Sequence, residues 1–194
     1  FNALATVDSG DLNPALTLET RLSDLFGGAG ADLGSINISL QDGPNAEGRT
    51  VDLSKAKSIN DLKTVIEDAF ATAAIQVTVD IDPTSQSGIR LTPSSGTATI
   101  EITDLAGSRV AGDLGIASAA TSQILGGDID PRATLKTRLS DLNGGTGIGV
   151  TAGNGLLITN GTKSDVVDLS AATTVEDLLN ELRLSDLDLD VDLN

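Results

Sequence analysis

The chain has 194 residues, with 28 acidic against 12 basic side chains and a net charge of -16 at neutral pH. A field of that sign repels nucleic acid and anionic membrane, so neither is expected as a partner. Cys and His are absent, which excludes disulfides and thiolate chemistry and removes the commonest general base and metal ligand, while the absence of Trp, Tyr and Met beside three Phe leaves an aliphatic core without aromatic binding anchors.

Residues 1–9 hold the place that GIASAATSQILG occupies before a second copy of the same pattern, and so read as the tail of a preceding element. They show no basic region followed by an apolar stretch, hence no visible signal peptide. No run in the chain approaches the roughly 18 apolar residues of a membrane span. From Gly10 the sequence GDLNPALTLETRLSDLFGGAG returns at Gly127 as GDIDPRATLKTRLSDLNGGTG, ungapped, with 14 of 21 residues identical. VDLSKAKSINDLKTVI from Val51 returns at Val167 as VDLSAATTVEDLLNEL. The chain is therefore read as two homologous modules, residues 10–126 and 127–194. The second stops just after its aspartate-rich segment, and both ends read as cut from a longer protein.

Within the first module, Leu18, Leu22 and Leu25 stand at helical spacing after Pro14 and before Gly27 and Gly28, which predicts a short helix over Thr17–Leu25. Leu135, Leu139 and Leu142 predict its copy, ended by Gly144 and Gly145. A tight helix-to-strand reversal at these glycines requires a positive φ in each trio, Gly27, Gly28 and Gly30 or Gly144, Gly145 and Gly147. Ile36, Ile38 and Leu40 then alternate as a strand ending at the turn-rich DGPNAEG, and a second strand runs Thr50–Leu53. Ser58 with Asp61 forms a capping pattern ahead of the stripe Ile59, Leu62, Val65, Ile66 and Ala69. Thr174 and Asp177 repeat it ahead of Val175, Leu178, Leu179 and Leu182. Alternation at Ile75–Ile81, Ile89–Leu91 and Ile100–Ile102 gives three more strands. In the second module DLDLDVDLN predicts a strand with Leu187, Leu189, Val191 and Leu193 on one face and Asp186, Asp188, Asp190 and Asp192 on the other. The fold class expected is α+β: two homologous β-rich modules, each with short helices packed on mostly antiparallel strands.

No catalytic, cofactor or metal site is expected. GGAGAD begins like a calcium nonapeptide, but Gly34 stands where a large apolar residue belongs and Gly149 replaces Asp32 in the other copy. These glycines follow a helix and precede a strand, the reverse of a phosphate cradle. Aspartates alternating along a strand lie about 7 Å apart in a row instead of around one ion. Asp80 and Asp82 before Pro83 have the same alternating geometry, and DIDPTSQSG, which lacks the glycine and terminal glutamate of a calcium loop, reads as a turn. No carboxylate pair has a setting that raises one pKa for acid–base work. Asn37-Ile38-Ser39 and Asn160-Gly161-Thr162 match the glycosylation triplet and are read as ordinary strand and turn residues.

LSDLNGGTGI and LSDLFGGAGADLG resemble the flagellin hook IN motif family of bacterial flagellar hook-associated proteins and some flagellins. The resemblance rests on Leu22, Leu25, Gly27, Gly28, Gly30, Leu33 and Gly34 in one copy, with Phe26 replacing the family's Asn. In the other it rests on Leu139, Leu142, Asn143, Gly144, Gly145, Gly147 and Ile148. Leu53, Ser54, Ala56, Ile59, Leu62 and Ile66 resemble the segment into the family's helix, and Asp113–Ile116 its closing Asp-Leu-Gly-Ile. The name-giving Ile-Asn pair is Ile66-Glu67 here and Leu182-Arg183 in the second copy.

The resemblance implies surface-exposed insert domains of an extracellular hook-associated protein of the hook–filament junction type, or of a flagellin. It implies export without a cleaved signal, and partners that are other flagellar subunits, met through parts of the parent outside these residues. No enzyme activity and no small-molecule substrate are expected. The alternative from another class is an extracellular adhesive or ligand-binding repeat.

Overall fold

Ile36, Ile38 and Leu40 alternate with polar residues, and the strand they form, β1 (Ser35–Asp42), turns all three into the interior. The structure, a computed structural model, describes residues 9, 12–148 and 155–193. They divide into two compact units, Ala15–Arg132 and Phe1–Pro14 together with Ala133–Asn194, each described by itself.

In Ala15–Arg132, β1 pairs with β2 (Asn45–Asp52), and Asp42 lies opposite Asn45, so only Gly43 and Pro44 leave the ladder. The turn expected over DGPNAEG is therefore mostly strand. The polar composition of β2 suits its place at the sheet edge, where Val51 is its one buried residue. The sheet continues through β5 (Thr99–Asp104) to β6 (Ser118–Thr121), in the order β2-β1-β5-β6. A second sheet has the order β3-β4-β7, with β3 (Val77–Ile81), β4 (Ile89–Pro93) and β7 (Ile124–Leu125). Every pairing is antiparallel. With helices α1 (Ile59–Phe70) and α2 (Val110–Asp113) this is an α+β fold. The strands β6 and β7 are too short and too little buried for a period-2 signal.

Helix α1 buries Ile59, Leu62, Ile66 and Phe70, with Val65 and Ala69 packed beside them, against β3 and β2. It also finishes the open edge of β3. Glu67 Oε1 accepts the Val79 N–H at 2.9 Å, and Lys63 Nζ donates to the Val79 carbonyl at 2.7 Å and to Glu67 at 2.6 Å. Strand groups that would otherwise invite another chain are thus occupied.

The helix expected over Thr17–Leu25 does not form. Two 3-10 turns, Leu22–Asp24 and Phe26–Gly28, take its place, with Leu22 and Leu25 buried and Leu18 37% exposed. The physical reason lies at the start of α1, whose first N–H groups have no acceptor within the helix. Thr20 and Leu18 carbonyls accept from Ile59 and Asn60 at 3.0 and 2.9 Å, and the Leu22 N–H goes to Lys57 at 3.0 Å. Carbonyls spent on α1 are not available to a helix of their own. Ser58 and Asp61 complete the set as a reciprocal capping box.

The other unit repeats this arrangement. Thr137 and Leu135 carbonyls accept from Val175 and Glu176, both at 2.9 Å, and the Leu139 N–H goes to Thr173 at 2.9 Å. A 3-10 turn (Leu139–Asp141) and a four-residue turn α3 (Leu142–Gly145) replace the expected helix, leaving Leu135 44% exposed. Hairpin β8 (Leu156–Asn160) and β9 (Lys163–Val167) follows, then α4 (Val175–Leu184) with its own capping box from Thr174 and Asp177. The strand expected over Leu187–Leu193 is absent. In the first unit β3 has β4 as its ladder partner, whereas among the described residues nothing pairs with 186–193, and Asp188 sits at φ +52. Leu187 is nonetheless buried against Val167 and Leu169.

Replacing Ser58 with Ala should cost about 1 kcal/mol in urea unfolding, the usual loss of a cap. In the capping box of the other unit, Asp177 is held down to about 2, first by the Thr173 hydroxyl and then by the Thr173 N–H and the Thr174 groups. A carboxylate below its ordinary value of 3.8 contributes stability that is present above that value and lost as pH falls through about 2. Asp177→Asn should therefore be less stable than the wild type at neutral pH, with the difference shrinking on acidification. A stability difference that stays constant from pH 6 to 2 would show that the carboxylate does not act as a cap.

Candidate interaction site

The sequence-predicted residues converge on one structure in each unit, the glycine turn. In Ala15–Arg132 the Leu25 carbonyl accepts from both Gly28 and Gly30 at 3.0 Å, and the Leu22 carbonyl accepts from Ala31 at 3.0 Å. Leu22 and Leu25 anchor the turn from inside the core. In the other unit Leu142 accepts from Gly147 at 2.8 Å, Leu139 accepts from Ile148 at 3.1 Å, and both leucines are buried with Val175 and Leu179. All six glycines of the two trios have positive φ, from +61° at Gly27 to +91° at Gly28. Coiling that tight needs residues free of a Cβ.

The residue ahead of each glycine pair is left-handed too. Asn143, at φ +53, suits that region and donates from Nδ2 to the Gly147 carbonyl at 3.1 Å. Phe26, at φ +55, does not suit it, and its ring packs against the core instead. Phe26, where the other copy has Asn143, thus exchanges backbone comfort for apolar contact.

With the turn's own carbonyls committed, two successive N–H groups face away from it, and a separate chain segment meets them. Phe26 and Gly27 donate to the carbonyls of Ile129 and Asp130 at 3.0 and 2.9 Å. Asn143 and Gly144 donate to those of Leu12 and Asn13 at 2.8 and 2.7 Å. Each docked segment comes from the start of the opposite sequence copy: Ile129-Asp130 seats on the first glycine turn and Leu12-Asn13 on the second. The only sequence signal of this docking was the recurrence of Gly-Asp-apolar-Asx-Pro.

The seated segments share their geometry. Asp130 and Asn13 are left-handed, at φ +42 and +38, and Asx residues tolerate that region. Successive residues of an extended strand face opposite ways, so the left-handed residue is what brings two consecutive carbonyls to one side. Asp128 Oδ1 accepts the Asp130 N–H at 2.8 Å and shapes the bend. Ile129 is fully buried, while Leu12 packs beside Leu139 and Leu142. Ile129 also donates to Ser87 at 3.1 Å, Gly126 donates to Ile89 at 2.9 Å, and Arg132 donates to the Asp24 carbonyl at 2.7 Å. A Cβ on Gly126 would meet the Ile89 carbonyl at 2.6 Å, so close passage of this segment along β4 demands glycine.

The chemistry offered is recognition of peptide backbone by two N–H donors in line, with no titratable group among them. Elsewhere, Asp82 accepts from Thr84 N–H and Ser85 Oγ, each at 3.0 Å, and is lowered chiefly by the Thr84 N–H, as fits the expected turn. Asn37 Oδ1 accepts from Thr50 Oγ1 at 2.8 Å, and Asn160 Nδ2 donates to the Leu187 carbonyl at 2.9 Å. Among the described residues no group of three or more acidic side chains is placed to hold a metal ion. Among them, too, no helix is long and apolar enough to cross a membrane.

Comparison with protein-family models, curated proteins and solved structures finds no match to the chain.

A Cβ on Gly28 would lie 2.8 Å from Arg132 Cδ in a backbone at φ +91. Gly43, at φ +56, has open space around it. Gly28→Val should therefore destabilise by about 1–3 kcal/mol, and by more than Gly43→Val, in chemical denaturation. Equal costs would mean that the docked segment exerts no steric demand on the turn.

Proposed function

We propose that the chain is a structural component of the bacterial flagellum: surface-exposed insert domains of a hook-associated protein of the hook–filament junction type, extracellular and without enzyme activity. What supports this reading is the use to which the family-like residues are put. Leu53, Ala56, Ile59, Leu62 and Ile66 lie in the core, the paired leucines anchor the turns, and the glycines shape backbone. A motif made mainly of packing and turn positions serves a scaffold. Other flagellar subunits are reached through parts of the parent outside this chain.

Antibodies raised against the chain, imaged by electron microscopy on cells that express the parent, should decorate the junction between hook and filament. Deleting residues 15–132 from the parent should leave assembled filaments. Label spread over the cell wall would replace this reading with the adhesive repeat, and loss of all filaments would place the module in the tube wall instead of on its outer surface.

A further inference from the structure

The two seated segments share the features that meet the glycine turns. Each presents an apolar residue, a left-handed Asx and a proline, each supplies two consecutive carbonyls, and each is held by the same two N–H groups of a turn of nearly the same sequence. Neither belongs, in sequence order, to the copy whose turn it fills. In Ala15–Arg132 the segment lies 103 residues downstream of its turn, from Phe26 to Ile129, and in the other unit it lies 131 residues upstream, from Asn143 back to Leu12. Position along the chain is therefore not what selects the partner.

We propose that the glycine turn is a receptor for the apolar-Asx-Pro segment as such, and that the occupant which can replace the intramolecular one is the same segment of a second copy of this chain. The recognition is carried by backbone hydrogen bonds and by the left-handed Asx, with the apolar side chain adding burial, which is β-strand-like peptide capture shortened to one turn. Within one chain the tethered segment has an effective concentration of the order of millimolar. A free segment thus competes only when the resident one is weakened. Linkage between chains follows by exchange, with no new contact type. The inference does not rest on the flagellar reading, since it concerns only how copies of the module join.

The test uses the full chain carrying Leu12→Asp, which removes the apolar anchor of the resident segment while leaving the Asn143–Gly144 turn intact. A labelled peptide of residues 126–132, Gly-Gly-Asp-Ile-Asp-Pro-Arg, should bind this variant saturably at one site and shift the amide resonances of Asn143 and Gly144. It should bind the wild type at least about tenfold more weakly, because there the site is filled. In the peptide, Asp130→Val should abolish binding, since a β-branched residue resists the left-handed region, whereas Asp130→Gly should retain it. If Leu12→Asp unfolds its unit, restoration of its amide dispersion by the peptide is the expected result. Absence of binding to the folded variant, failure to restore an unfolded one, or equal binding of a scrambled peptide would each overturn the proposal.

Discussion

Two peptide N–H groups at each glycine turn face away from the turn itself, and much of each unit is arranged around meeting them. The coil from Leu25 to Gly30 closes on the Leu25 carbonyl, which leaves Phe26 and Gly27 to find acceptors elsewhere. Gly27 and Asn143 are exposed residues, yet these donors are met by protein carbonyls and not left to water. The supply here is a segment more than a hundred residues away, and its path along β4, past Gly126 and Ile129, also ties the second sheet to the turn. One requirement of backbone chemistry therefore joins the beginning of a unit to its end.

The same accounting explains the stretch ahead of the turns. The carbonyls of Leu18 and Thr20, and of Leu135 and Thr137, lie over the first N–H groups of α1 and α4. Capping boxes satisfy the next donors from the other side. The helix and the leucine-rich stretch before it are thus one device, which accounts for the conjunction of a helix-like leucine spacing with no helix.

The acidic composition takes on a different meaning in this light. Asp52 and Asp168 accept from the N–H of Ser54 and Ser170 at equivalent points of the two copies, Asp104 accepts from Ala111 and Gly112 at the start of α2, and Asp61 and Asp177 cap α1 and α4. These carboxylates are bound to local backbone; Asp61 and Asp168 are lowered chiefly by the Lys57 and Ser170 N–H groups, and Asp52 and Asp177 first by the Ser54 and Thr173 hydroxyls and then by backbone N–H groups. These five of the 28 acidic residues are structural equipment of turns and helix starts.

What the sequence determined by itself was local: the duplication, the strands β1, β3, β4 and β5 from their period of 2, the helices α1 and α4 from their stripe and cap, and the left-handed glycines. Each depends on neighbours within a few residues, so its signal survives in one dimension. Tertiary structure decided three things. It unwound Leu18–Leu25 and Leu135–Leu142, because their carbonyls serve another helix. It left Leu187–Leu193 without strand geometry, because a strand is made by its partner and 186–193 has none among the described residues. It seated Leu12 and Ile129 on the turns of opposite copies, a pairing that no spacing encodes. Hydrogen-bond direction and the identity of a distant acceptor are properties of the folded chain, and a repeat in sequence shows that two turns exist without showing which segment fills them.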